Sequence, residues 1–181
     1  MRKVLFILGQ LNDDDVAWLA QNGKRSVLAD GQVLVQEGQA VESLFITLDG
    51  RLRVTLRDGL EVAQISVGEV IGEIAFVDAA PPSATVTAVG EAIVLALSKP
   101  LLLQRLESDF GFAARFYRAL AIFLADRLRA TTRRLGYGGA GDLDRDAVLE
   151  DELDLNVLDN VSQAGERFSR LLLTLQGGAQ R

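Results

Sequence analysis

The chain contains no cysteine and no histidine. Without histidine there is no imidazole base, no Ser-His or Cys-His nucleophile pair and no imidazole metal site. Without cysteine there is no disulfide, no thiolate zinc site and no thiol redox chemistry. A metal site would have to be built from carboxylates, and no EF-hand spacing occurs, so neither a metal nor a catalytic residue is assigned. Proline is scarce, with three residues, and there is one Met and one Trp. No run approaches the ~20 apolar residues of a membrane span. Arg2 and Lys3 precede the apolar run Val4 to Leu8, which is too short for the core of a signal peptide. The expectation is a cytoplasmic, non-enzymatic binding or regulatory protein.

What is present is a 49% apolar chain of 181 residues, enough for a packed core. The net charge of −6 is unevenly spread. Residues 115–135 carry Arg115, Arg118, Arg127, Arg129, Arg133 and Arg134 against Asp126 alone, between two acidic regions. This band reads either as a solvated face or as a partner for the acidic stretch 142–154. Overall acidity argues against a nucleic-acid binder, so no DNA partner is expected.

Three textures follow one another. Residues 13–22 predict a short helix, capped by Asn12 or Asp13 and ended by Gly23. From 24 to 98 come eight short alternating or apolar runs, most separated by turn signals such as Asp49-Gly50 and Asp58-Gly59. They predict eight strands. Arg51, Arg53, Thr55 and Arg57 alternate with Leu52, Val54 and Leu56, so one face of that strand meets water. From Lys99 the period becomes helical. Helices are expected at 100–106 and 110–135, with Ser98 as cap and Pro100 in the first turn. In the second, Phe112, Phe116, Leu120, Phe123, Leu124, Leu128, Thr131 and Leu135 form an apolar stripe. It reads as core against the strands, and its length also suits a homodimer seam through Phe116, Leu120, Phe123, Leu124 and Leu128. Residues 136–160 read as a Gly-rich and acidic linker. Residues 161–176 predict an amphipathic helix with the stripe Val161, Ala164, Phe168, Leu171, Leu172 and Leu175, capping the dimer or docking another protein.

Residues 68–88 read GEVIGEIAFVDAAPPSATVTA. With the order helix, strands, helix pair, this resembles the phosphate-binding cassette of cyclic-nucleotide-binding domains, as in bacterial CRP-type regulators and kinase regulatory subunits. The family pattern is Gly-Glu-aliphatic-Ala, a spacer, then Arg, a small residue and Ala. Gly72, Glu73, Ile74 and Ala75 match the first part, and Ser83 and Ala84 match the last two positions. The resemblance covers about residues 11–135. It implies a mainly β fold with helices: an eight-stranded antiparallel β-roll, jelly-roll-like, flanked by an N-terminal helix and a long C-terminal helix, with a short helical tail. The domain would be 1–135, with its roll at 24–98.

The resemblance also implies a ligand, cAMP or cGMP, and no resident cofactor. Glycine lets backbone approach a phosphate, a one-turn helix offers its N–H groups, and a carboxylate accepts from a ribose hydroxyl. An Arg would clamp the phosphate, but the matching position here is Pro82, preceded by Pro81. The remaining donors would be the Ile74 and Ala75 amides and Ser83, unless Arg51 or Arg53 reaches in. Thr131 and Thr132 match hydroxyl positions that contact adenine in CRP-type proteins; they equally suit a helix surface. Glu73 reads as a ribose acceptor or as a strand-end acid paired with an Arg. The functions in play are a cyclic-nucleotide sensor, a nucleotide-free scaffold, a CRP-type transcription regulator, for which residues 136–181 are too short and too acidic, and a cupin-type enzyme, which lacks its imidazoles.

Overall fold

The computed structural model describes residues 4–78, 80–136 and 155–177. The elements run α1 (Val4–Gln10), α2 (Asp13–Asn22), β1 (Lys24–Leu28), β2 (Val33–Val35), β3 (Ser43–Thr55), β4 (Glu61–Ile65), β5 (Val70–Ile71), α3 (Glu73–Val77), β6 (Thr85–Ser98), α4 (Lys99–Ser108), α5 (Phe110–Gly136) and α6 (Leu155–Gly177).

The expected antiparallel roll is present, with six strands where eight runs were read. Two pairs of runs fuse: β3 and β6 are 13 and 14 residues long and pair along most of their length. Each passes through a glycine of positive φ, Gly50 and Gly90, instead of breaking there. Register shifts between Thr47 and Asp49, and between Asp49 and Arg51, absorb the kink. A Cβ on Gly50 would lie 2.4 Å from the Glu91 carbonyl oxygen, so the crossing strands require glycine there. The order is β1-β6-β3-β4, with β2 on β6 and β5 on β3.

Alternation along the strands divides the core in two. Leu52, Val54, Ile65, Ile71, Val86, Ala88 and Val94 fill the roll. Leu44, Ile46, Leu48, Leu95 and Leu97 pack instead against the helices. There Phe112 stacks on Phe116 at 5.5 Å between centroids, and Trp18 tilts against Phe112 at 5.7 Å. Helix α2 is held by a capping box in which Asn12 and Asp15 each accept the other's backbone N–H. The same Asp15, 1% exposed, takes a two-pronged contact from Arg115 of α5, at 2.6 and 2.8 Å.

Three helical expectations need correction. Val4 to Leu8 belong to a helix, α1, which the short apolar run did not announce; Ile7, Leu8 and Leu11 join the core. Phe116, Leu120 and Phe123, expected in a dimer seam, are each 2% exposed and buried within their own chain. Of the five seam residues only Leu124, half-buried, and Leu128, exposed, remain at the surface. Helix α6 starts at Leu155, six residues before the expected 161, and packs on its own chain. Ala164 and Leu171 enter the helical core, and Arg167 donates to Leu8 O at 3.2 Å and to Asp13 Oδ1 at 2.9 Å. Of the linker expected at 136–160, residue 136 ends α5 and 155–160 are helical in α6, while 137–154 lie outside the described residues.

Candidate functional site

The expected cassette forms a local unit. β5 ends at Ile71, and Gly72 turns the chain with φ +86° into the five-residue helix α3. A side chain at 72 would be strained by that φ, and its Cβ would sit 3.2 Å from Ser43 O. Ala75 is buried and Ile74 half-exposed. The chain then crosses to Pro82, Ser83 and Ala84 before entering β6. The loop after β2 is stitched to this segment. Gly38 N donates to Pro82 O at 2.8 Å, and Glu37 N to Thr85 Oγ1 at 3.2 Å. Pro82 thus lends its carbonyl to a turn, and Ser83 is exposed.

Glu73 is 2% exposed, and its carboxylate is paired with the Arg127 guanidinium of α5. Of its two readings, the acid paired with an arginine is the one the structure shows. Burial pushes the Glu73 carboxyl above its ordinary value of 4.5, while Arg127 and its own backbone N–H pull the other way. Arg127 also lies over the Phe123 ring, 5.3 Å from its centroid. One turn on, Thr131 and Thr132 are exposed and donate their hydroxyls to Arg127 O and Leu128 O at 3.0 and 2.9 Å. Thr131 lies one turn beyond Arg127, and both threonines spend their hydroxyls on carbonyls of their own helix.

No substitute clamp comes from β3. Arg51 and Arg53 are exposed, and they alternate with Leu52 and Val54, which point into the roll. They therefore face outward. The loop bonded to the clamp position instead carries Glu37, whose Oε2 is buried without a hydrogen-bond partner. Two clefts flank the loop 40–42. One of about 400 Å³ lies along Val33–Gln36 and Gln39–Ser43. One of about 300 Å³ lies between Val41, Ala75, Phe76, Pro81 and Leu103, where Lys99 Nζ donates to Ala75 O at 3.1 Å. Among the described residues no group of His, Cys, Asp or Glu is arranged to hold a metal ion.

A family model described as the cyclic nucleotide-binding domain matches residues 25–109. The N-terminal domain of a transcriptional regulator from Streptomyces coelicolor is 30% identical, with 81% of this chain and 100% of that chain covered and a TM-score of 0.57. Residues 25–109 belong to the cyclic nucleotide-binding domain family. A cyclic nucleotide-binding domain from Methylobacillus flagellatus shares the fold at a TM-score of 0.69 and 22% identity, covering 78% of this chain and 85% of that one. An NTE family protein of Mycobacterium tuberculosis is 26% identical over 128 residues. That match spans 71% of this chain and about a fifth of the curated relative, 22%. Among the described residues the long helix is followed by one further helix and no helix-turn-helix.

The sequence singled out Glu73 and, separately, the 127–132 segment; it did not join them. A signal was in the spacing: Arg127 sits one turn before Thr131, the position the resemblance assigned to the ligand site.

Proposed function

We propose that this chain is a cytoplasmic, non-enzymatic regulatory or assembly module that works through protein contacts, its cradle retained as architecture and lacking the cation that would hold a cyclic phosphate. The observation that carries this reading is that Pro82 stands at the clamp position and none of Arg51, Arg53 and Arg127 takes its place. Pro82 has neither charge nor N–H, Arg51 and Arg53 face solvent, and Arg127 is committed to Glu73. A missing charge-assisted hydrogen bond costs about 1.5–3 kcal/mol, a roughly 10- to 150-fold loss of affinity. The loop bonded to the clamp segment brings Glu37, an acidic and not a basic side chain.

The second reading, a sensor of cAMP or cGMP, is favoured by one feature: Gly72 keeps the left-handed turn that opens α3. The two separate in a thermal melt of the full chain with 1 mM cAMP or cGMP. The proposal expects a shift under about 1 °C with either nucleotide. A rise of several degrees, which requires ligand well above its dissociation constant, establishes the sensor instead.

A further inference from the structure

Three segments meet at the cleft of about 300 Å³ beside the loop 40–42. The loop contributes Val41, the α3 region contributes Ala75, Phe76 and Pro81, and the start of α4 contributes Lys99 and Leu103. Ala75 is buried, whereas Pro81 and Leu103 are exposed, so the cleft has an apolar wall and an open side. Its one basic group is Lys99, which is half-buried. The Lys99 backbone N–H donates to Glu42 O at 2.9 Å, and its Nζ donates to Ala75 O at 3.1 Å. These bonds fix the side chain at both ends and hold the ammonium against the Ala75 wall. Ala75 O lies in the last turn of α3, so the second bond is a helix cap. Such a cap uses one of the three ammonium N–H groups. Among the described residues Lys99 has no ion-pair partner.

We infer that this cleft takes the C-terminal end of a partner polypeptide, its apolar last side chain against Val41, Phe76 and Leu103 and its carboxylate on the Lys99 ammonium. The inference deepens the protein-contact reading and rests on it for the nature of the occupant. Apolar walls around a single cation select a ligand that joins an apolar body to one negative charge. Only the last residue of a chain carries an apolar side chain and a carboxylate on the same Cα. A phosphate dianion fits less well, because one ammonium leaves part of its charge unpaired beside apolar walls. Glu42, exposed and also lining the cleft, opposes a dianion further. The open side at Pro81 and Leu103 leaves one flank of any occupant in water. A free small acid gains contact on one face only, whereas a chain end continues outward onto its own protein.

The test is an NMR titration of the isotope-labelled full chain with a tetrapeptide of three alanines and a terminal phenylalanine, acetylated and ending in a free carboxylate. The amides of Ala75, Phe76, Lys99 and Leu103 are expected to move together and saturate. The same peptide with an amidated end should bind at least about tenfold more weakly, the loss of one charge-assisted bond. Lys99→Gln, which keeps an N–H donor, should weaken binding of the acid and not of the amide. Leu103→Glu, which leaves the Lys99 cap in place, should abolish binding of the acid with little change in melting temperature. Equal affinity for acid and amide, shifts confined to other residues, or no shift at 5 mM peptide overturns the inference. N-acetylphenylalanine binding as tightly as the tetrapeptide overturns it too, since the occupant is then a small acid. Shifts of Gly72, Ser83 and Ala84 with 1 mM cAMP would refute the nucleotide-free reading, and they are read separately from those of the cleft.

Discussion

Gly50 carries the sharpest constraint at the scale of a single residue. Its φ of +78° and the 2.4 Å approach of Glu91 O leave no room for a Cβ. Gly50→Ala should cost at least about 1–3 kcal/mol from the backbone alone, read as a lowered urea midpoint; an unchanged midpoint would show that β3 and β6 can slide apart there. Asp15 is the second case. With Arg115 removed, a carboxylate 1% exposed keeps its capping role and loses its counter-charge. Arg115→Ala should therefore cost about 3 kcal/mol, and Asp15→Asn should recover part of that in the double variant. Glu73 sets a pH dependence. Its native pKa is raised above 4.5, chiefly by burial. The stability it contributes is complete below pH 4.5 and is lost as pH rises through its native value. The stability difference between wild type and Glu73→Gln should thus shrink from pH 4 to pH 7; a constant difference would contradict the burial argument.

At the scale of elements, α6 is held by its apolar stripe and by Arg167, which is mostly buried and donates to Leu8 O, while the Arg170 contact to Asp13 is exposed and salt-screened. Leu171→Ala should cost about 2–5 kcal/mol and speed proteolysis within 155–177, whereas Arg170→Ala should do little. Equal effects would shift the weight to the ion pairs. Elements with a strong period were legible in the sequence. The alternation of the roll and the three-and-four spacing of α5 and α6 each follow from one face being buried. Helix α1 was not legible, because two turns give too few residues to show a period. The strand count was misread for a related cause. Asp49-Gly50 and Gly90 read as turn signals, yet Gly50 and Gly90 serve as kinks within continuous strands, a distinction set by the neighbouring strand.

At the scale of the whole molecule, the roll and the helical layer meet at α3 and α5, through Glu73 and Arg127. The cassette could be located from Gly72, Glu73 and Ala84 because its backbone demands are local. The pairing inside it could not, because it joins residues 54 positions apart. The buried and exposed apolar positions of α5 were merged for the same reason: sequence shows that a position is apolar, and only the fold decides what lies beside it. On the proposed reading, the fold retains the backbone of an anion cradle while its charge is spent internally. The direct measurement is a calorimetric titration of cAMP into wild type and Pro82→Arg, side by side. The account predicts no measurable heat of binding for wild type and a gain of at least about tenfold in affinity when the clamp is restored. Tight binding by wild type, unchanged by the substitution, would contradict it.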